Sequence, residues 1–268
     1  MKRAAIFLSL LVLIIPLMGG CSSSGAKGNP MASASTNERI PVEVALESVR
    51  EFLGDPEAQL DLHDIETFPI YEAYVFTSEK YDIYVNTKSG EVVRAHFWGI
   101  SNPEVKIDLA QAEAIARDFA QKHYSDFDEQ RMPLCISKFS DHGTSKEYEF
   151  LWQEFRGKAS VPNLVKVSIS PTTGQVMSYM GWRVNVTIST KPKIDRNAAL
   201  RIATDAVSFE AVMIHEVRLS VWFDEEGNQV LHWSITLEGE PSKHFTVQGA
   251  EVVIDAFTGE IVRIGPMS

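Results

Sequence analysis

A hairpin motif that recurs three times at an even spacing constrains the fold of this chain more than any other feature. The copies are residues 85–93, 169–177 and 254–262. Each contains a turn-forming Asn, Ser or Asp, then a hydroxyl residue, a glycine, Glu or Gln, and two apolar residues. The turn-former can accept a hydrogen bond from the backbone two residues on, and glycine supplies the positive φ at the loop exit. One such hairpin is common, but Gly90, Gly174 and Gly259 lie 84 and 85 residues apart, which indicates an internal repeat.

A helix is predicted ahead of each hairpin. Asp108 and Asp195 are natural N-cap residues and lie 87 residues apart. Apolar residues follow each of them at helical spacing, at positions 109, 112, 115, 116 and 119, and at 199, 202, 203 and 206. The first copy opens at Ile40 and carries Pro41, which a first helical turn tolerates, in place of a capping Asp.

Between helix and hairpin, the second and third copies contain further strand-like segments. Residues 147–155, 217–223 and 229–237 alternate apolar and polar side chains, as half-buried antiparallel strands do. Residues 224–228 form a predicted hairpin loop between the last two segments. Each repeat is therefore predicted to be one helix followed by a small antiparallel meander.

This order of a capped helix and a strand–[Asn/Asp/Ser]-x-x-[Thr/Ser]-Gly-[Glu/Gln]-apolar-apolar hairpin resembles the PepSY family of peptidase propeptides and extracytoplasmic modules. The resemblance covers nearly all of residues 40–264. It implies an α+β fold of three cystatin-like PepSY-type units, each a helix packed on a small curved antiparallel sheet. It also implies a non-catalytic role, binding or restraining peptidases at the cell envelope. The expected units are residues 40–100, 104–183 and 192–268.

The N-terminal residues indicate export and a lipid tether. Basic residues precede an apolar run at 4–17, and two glycines precede Cys21, as in the lipobox of bacterial-type lipoproteins. The run gives only about 22 Å of helix, shorter than the ~30 Å hydrocarbon core. We predict a lipoprotein signal peptide at 1–20, lipid attachment at Cys21 and a flexible linker at 21–39. The alternative is a plain secretory signal cleaved near a cysteine.

Composition and motifs argue against several function classes. The formal net charge of −11 disfavours nucleic acid binding, which needs clustered Lys and Arg. We find no catalytic, cofactor or metal motif, and His215-Glu216 lacks the second histidine of a zinc-protease helix. Cys135, between two apolar residues, is predicted to be a buried structural thiol. The sequence therefore predicts a protein that is not an enzyme.

Two tryptophans are candidate ligand-binding residues. Trp98 and Trp182 each lie eight residues after a hairpin glycine. They form either an aromatic platform for a peptide or glycan, or a repeated plug where the last strand meets its helix or the next unit. The remaining tryptophans lie in alternating segments and are predicted to be core residues: Trp152, Trp222 and Trp233.

Together these features predict a lipid-anchored protein on the extracytoplasmic side of the cell membrane. Its partner is expected to be a protein or peptide, received by strand addition at a sheet edge, with restraint of an envelope peptidase as the specific form of this hypothesis. The alternative is a structural or assembly factor of the envelope that does not contact a peptidase.

Overall fold

A succession of one helix and four strands occurs three times in the part of the chain that the computed structural model describes, residues 38–100, 104–141, 143, 145–209, 211–240 and 248–266. We number these repeats 1 to 3. The helices are α1 (Val42–Leu53), α2 (Leu109–His123) and α3 (Arg196–Ala206). The strands are β1 (Asp61–Thr67), β2 (Glu72–Thr77), β3 (Tyr81–Asn86), β4 (Val92–Phe97), β5 (Leu134–Asp141), β6 (Lys146–Arg156), β7 (Ala159–Ile169), β8 (Val176–Trp182), β9 (Ala211–Phe223), β10 (Gln229–Gly239), β11 (Gln248–Asp255) and β12 (Ile261–Pro266). The α+β class predicted from the sequence is confirmed.

The twelve strands form one sheet. Its order is β1-β2-β3-β4-β8-β7-β9-β10-β11-β12, with β6 and β5 attached to β7 as a branch. Neighbouring strands are antiparallel except β7 and β9, which run parallel over two residue pairs, Ala159 with Leu219 and Ser160 with Ser220. The last strands of repeats 1 and 2, β4 and β8, lie side by side. The last strand of repeat 3, β12, lies at one end of the sheet.

The helix starts follow the predicted capping chemistry. The Asp108 carboxylate accepts a hydrogen bond from the Gln111 backbone N–H at 2.8 Å, and the Gln111 side chain accepts from the Asp108 N–H. Asp195 accepts from the Ala198 N–H at 2.8 Å. Pro41 occupies the N-cap of α1 without a side-chain cap. The two predicted N-caps are therefore confirmed.

Each hairpin turn is closed by the side chain that the motif predicts. Asn86, Ser170 and Asp255 accept hydrogen bonds from backbone N–H groups two and three residues on. The next residue of each turn uses its carbonyl to accept from the isoleucine before the helix of the same repeat. These bonds are Ile40 N–H to Thr87 O (2.7 Å), Ile107 N–H to Pro171 O (3.1 Å) and Ile194 N–H to Ala256 O (2.9 Å). The motif thus ties the last hairpin of each repeat to the start of its helix.

A second hydrogen bond at the same isoleucines recurs in all three repeats. An aromatic residue on the second strand donates to the isoleucine carbonyl: Tyr74 to Ile40 (2.8 Å), Tyr148 to Ile107 (2.9 Å) and Trp233 to Ile194 (2.8 Å). Each helix start is therefore held by the turn on one side and by the sheet on the other. Sequence analysis missed this contact, because the aromatic donor lies 34 to 41 positions from the isoleucine along the chain.

The hairpin glycines also pack against the helix they anchor, which gives a test of the motif. Gly174 has φ +73°, and a Cβ there would lie 3.2 Å from Cδ1 of Ile115 on α2. We expect Gly174→Ala to lower the free energy of unfolding by about 2–3 kcal/mol, the sum of left-handed strain and overpacking. Gly227, in the β9–β10 turn, has φ +83° and no atom within 4 Å of such a Cβ, so Gly227→Ala should cost only the strain, about 1–2 kcal/mol. Denaturant unfolding of the two variants measures the difference, and equal losses would show that the helix contact contributes nothing.

Two hydrophobic cores lie between the helices and the sheet. The first joins α1 and α2 to strands of repeats 1 and 2, with Phe52 of α1 edge-on to Phe119 of α2 at 5.7 Å between ring centroids. The second lies under α3 and is formed mainly by β9, β10 and β11. Repeats 1 and 2 therefore share the first core, and repeat 3 forms most of the second, to which Ala159 and Val161 of β7 also belong.

Two predictions of burial are wrong. Trp222 is 41% exposed, because its neighbours Leu219 and Val221 point into the core and Trp222 takes the other face of β9. Cys135 is exposed, because a register shift between Leu134 and Ile136 turns it out of the β5–β6 pairing. Trp152 and Trp233 are buried as predicted. The first repeat also contains two strands before its hairpin, β1 and β2, which the sequence analysis did not identify.

Several predicted segments lie outside the described residues. These are the signal peptide, Cys21 and nearly all of the linker. At the end of the predicted linker, Arg39 is described, and its guanidinium lies 2.7 Å from the carboxylate of Glu72 on β2. Within the described part of the chain, no helix has both the length and the apolar character needed to cross a bilayer.

Candidate functional site

A continuous run of aromatic side chains crosses the face of the sheet opposite the helices. Successive strand residues point to opposite faces, so Arg94 and His96 point away from the buried Ala95 between them. The run starts just after β4, passes along β4 to β3 and the β1–β2 connection, and then reaches β8 and β9. We call it the aromatic stripe; its members are Trp98, His96, Arg94, Tyr84, Phe68, Tyr71, Trp182 and Trp222. Both candidate tryptophans belong to it.

Trp98 forms the exposed end of the stripe. Its side chain is 52% exposed and stacks on the His96 ring, with centroids 5.7 Å apart and an interplanar angle of 17°. Its backbone N–H donates to the Lys80 carbonyl at 2.8 Å, which fixes the backbone while the indole stays open to solvent. The indole of Trp98 is therefore open to solvent and is not enclosed between the last strand and a helix.

A cation and a neutral imidazole lie behind Trp98. The Arg94 guanidinium is 3.1 Å from His96 Nε2, and its Cζ lies 5.3 Å from the Tyr84 ring centroid. Arginine can only donate, so Nε2 accepts and the proton of the neutral ring is on Nδ1. Burial and the Arg94 charge both lower the pKa of His96, which keeps the ring neutral.

The middle of the stripe is formed by the β1–β2 connection. Phe68 stacks on Tyr71 at 4.7 Å and contacts Tyr84 at 6.2 Å. The Phe68 N–H donates to the Tyr71 carbonyl at 2.8 Å, so the turn holds both rings on this face. Burial raises the pKa of Tyr71 to about 12, and its phenol is neutral at physiological pH.

Trp182 joins the stripe to repeat 3. Its ring centroid is 6.3 Å from that of Tyr71 and 6.4 Å from that of Trp222 on β9. It is half-buried, and its carbonyl accepts from the Tyr124 hydroxyl at 2.9 Å. Trp182 therefore sits where the three repeats meet, whereas the exposed aromatic at this end of the stripe is Trp222.

Only part of this site could be found by the spacing argument. Trp98 and Trp182 were identified because both follow a hairpin glycine at the same distance. Tyr84 and Arg94 were missed, although their positions on the polar face of strands β3 and β4 are a signal that alternation provides. Phe68 and Tyr71 lie in a connection with no periodicity, so nothing in the sequence placed them on this face.

A cleft of about 270 Å³ lies between α1, the end of α2 and the end of β8. It is lined among others by Phe52, His123 and Arg183. Burial, with a smaller effect of Lys122, lowers the pKa of His123 to about 4, and Arg183 pairs with Asp126 at 2.8 Å. The Arg183 guanidinium is thus paired and the His123 imidazole is neutral, and the cleft lies at the packing junction of repeats 1 and 2.

Outside the stripe, the described residues that could ligate a metal or act as a nucleophile do not cluster. Among the described residues, no three His, Cys, Asp or Glu side chains cluster as metal ligands. His215 pairs with Glu238 across β9 and β10, which places it on a strand and not on a zinc-protease helix. Although Cys135 is exposed, partial desolvation by neighbouring atoms raises the pKa of its thiol, which is therefore protonated at physiological pH.

Comparison with known proteins assigns no family. No protein-family model matches the chain, and no curated protein matches its sequence. Among solved structures, the Bacillus megaterium YpeB C-terminal domain is similar at a TM-score of 0.46 and 18% identity, over 87% of this chain and 100% of that chain. A likeness of this degree assigns neither a family nor a function to the chain.

Proposed function

We propose that this chain is a lipid-anchored extracytoplasmic binding protein, built of three cystatin-like PepSY-type units, that holds a protein or peptide partner on the aromatic stripe. The observation that carries the proposal is the stripe itself, with exposed tryptophans at both ends and half-buried rings between them. Aromatic residues with open faces are the side chains that dominate binding at protein interfaces. The proposal includes restraint of an envelope peptidase as the consequence of partner binding.

The threefold organisation supports the PepSY-type assignment. Each repeat has the same turn closure, the same bond from the helix-start isoleucine and the same aromatic donor on its second strand. These contacts are a structural counterpart of the motif that carries the family resemblance. The tether rests on the sequence of residues 1–21 alone.

The chemistry of the stripe indicates what kind of peptide it binds. The tryptophan faces attract apolar and cationic side chains, and cation–π contacts contribute about 0.5–2 kcal/mol each. The net charge of −11 draws a basic segment toward the protein over longer distances. We therefore propose an extended peptide segment rich in apolar and basic residues, lying along β4 toward β9.

Binding of displayed peptides tests this function. Peptides selected from a random phage-displayed library on the full-length chain in detergent micelles, with empty micelles as the counter-selection, are measured by fluorescence anisotropy. Trp98→Ala and Trp222→Ala should each weaken binding by about 5–30-fold, since each removes an open stacking surface worth 1–2 kcal/mol. Phe139→Ala is the matched control, because Phe139 on β5 is 43% exposed and lies outside the stripe. It should leave the affinity within twofold.

Two outcomes would contradict the proposal. Selection of no peptide above the empty-micelle background would remove the binding role and favour the structural or assembly alternative. Peptides that bind equally to Trp98→Ala, Trp222→Ala and the unmodified chain would show that the binding surface lies elsewhere. For peptides that pass both tests, inhibition of envelope peptidase activity by the full-length chain, relieved by excess peptide, tests the restraint.

A further inference from the structure

Among the residues that the structure describes, β12 is the last strand at one end of the sheet, and its apolar residues are exposed. On the helix side Ile261 is 44% exposed and Ile264 is 49% exposed, and Val262, at a register shift, is 66% exposed. Ile261 and Ile264 pair with the core residues Ile254 and Val252 of β11, so both continue the second core beyond the part that α3 covers.

The equivalent strands of the other two repeats show what covers such an edge. β4 and β8 pair with each other in antiparallel fashion, through Arg94 with Met180, Ala95 with Tyr179 and His96 with Ser178. Counted from the hairpin glycines, Ala95 and Tyr179 are both at position +5, and the flanking pairs join position +4 to +6. This register is the one that a local two-fold axis through position +5 would generate.

Position +5 is buried in repeats 1 and 2 and exposed in repeat 3. Ala95 and Tyr179 are 0% and 2% exposed, because the β4–β8 pairing and the shared core cover them. Ile264 occupies the same position on β12. The helices follow the same two-fold relation, since Phe52 and Phe119 lie twelve residues after Ile40 and Ile107 and contact each other. The corresponding residue of α3 is the small Ala206, which leaves room for a larger side chain at position +5.

We propose that β12 pairs with β12 of a second copy of this chain, antiparallel and with Ile264 opposite Ile264 on the two-fold axis. In this register Arg263 lies opposite Gly265 of the other copy, as Arg94 lies opposite Met180. The Arg263 guanidinium pairs with Glu251 on the neighbouring strand of its own sheet, so no unpaired charge of β12 faces the partner. The pairing joins two sheets into one and buries the uncovered extension of both second cores.

The other terminal strands, β1 and β5, carry charges and irregular register that oppose such pairing. β1 contains Asp61 and Asp64 and has a register shift after Leu62. β5 has a register shift at Cys135 and carries Lys138 and Asp141. Charges and irregular register are how edge strands avoid pairing with another chain. β12 also has a register shift, at Val262, but residues 263–265, which would face the partner, follow that shift in continuous register. The only charge of β12 is the already paired Arg263.

The oligomeric state of the full-length chain in detergent micelles tests the pairing. Native mass spectrometry and sedimentation velocity should show a dimer. Ile264→Lys should raise the dimer dissociation constant at least tenfold, because it sets two like charges opposite each other at the axis. Leu62→Lys is the matched control, since Leu62 is a similarly exposed apolar residue on the opposite terminal strand β1, and it should leave the dimer unchanged. Because Ile264 is half exposed, unchanged circular dichroism should accompany the loss of the dimer.

Cross-linking fixes the register independently of the charge variant. In a Cys135→Ser background, Ile264→Cys should form an intermolecular disulfide on mild oxidation, since opposed residues of antiparallel strands bring their Cα atoms to about 4.5–5.5 Å. Leu62→Cys should remain unlinked. Peptide mapping identifies which thiols are joined. A monomeric chain, a dimer that survives Ile264→Lys, or linkage at position 62 and not at 264 would overturn the proposal.

Discussion

Replacing Trp152 with alanine is expected to lower the free energy of unfolding by about 3–5 kcal/mol, the range for a fully buried large aromatic side chain. Trp152 is 0% exposed and packs edge-on against Phe127 with ring centroids 5.5 Å apart. It belongs to the core that repeats 1 and 2 share, so the cavity would weaken the packing of both. Denaturant unfolding of the full-length chain measures the loss.

The matched variant is Trp98→Ala, which removes the same side chain from the exposed end of the stripe. Its expected cost is about 1 kcal/mol or less, because the indole has little apolar area removed from water. A large loss of stability in Trp98→Ala, close to that of Trp152→Ala, would show that Trp98 is a structural plug. It would also remove the main support for the binding role of the stripe.

Acidification from pH 7 to pH 5 is expected to destabilise the fold through buried histidines. Burial is the main cause that lowers the pKa of both His232 and His123 to about 4, and nearby Arg218 and Lys122 add to it. An unfolded histidine titrates near 6.5. Between pH 6.5 and pH 4 the unfolded chain therefore binds protons that the folded chain excludes. The stability that the two neutral histidines contribute is fully present above pH 6.5 and is lost as the pH falls. Allowing for solvent screening, protonation of each histidine should lower the free energy of unfolding by about 1–2 kcal/mol between pH 7 and pH 5.

Variants separate this effect from other titrations. His232→Gln should flatten the dependence of unfolding free energy on pH between 7 and 5, whatever its effect at a single pH. His63→Gln, at an exposed position on β1, should leave the slope unchanged. Glu149 has a pKa of about 2, because Lys166 and Ser140 bind its carboxylate against the cost of burial. It therefore stabilises the fold fully above about pH 4.5 and changes the slope only below that pH. An unchanged slope in His232→Gln would show that His232 is hydrated in the folded protein.

The helix starts and hairpin turns of the repeats could be predicted from the sequence because their chemistry is local. The pairing of distant strands could not. The capping residues Asp108 and Asp195 and the turn-former Asp255 act on atoms within three residues, so their roles could be derived from spacing alone. The antiparallel pairing of β4 with β8 joins residues 82 to 86 positions apart and has no local signal. β1 was missed because its polar, mostly exposed sequence lacks the alternation of a half-buried strand.

Alternation located strands but did not decide which face was covered. Trp222 lies in a segment with correct alternation, yet the core is formed by its neighbours Leu219 and Val221. Of the eight residues of the stripe, the sequence analysis identified only the two tryptophans that share a spacing. Tyr71 and Phe68 join the stripe only through the folded β1–β2 connection. Which residues meet on one face of the sheet can be predicted only when the order of the strands is known.

The distribution of the two cores has a consequence for dissecting the molecule. Sequence periodicity divides the chain into three, but its apolar interior divides it into two. A cut near residue 100 would split a single interior and leave Phe52 and Phe119 each facing water on one side. A cut near residue 192 would remove Ala159, Val161 and Val186 from the second interior, together with the short parallel ladder of β7 and β9 and the contact of Trp182 with Trp222. The smallest fragment that preserves native burial at the N-terminal end is therefore a pair of repeats, not one.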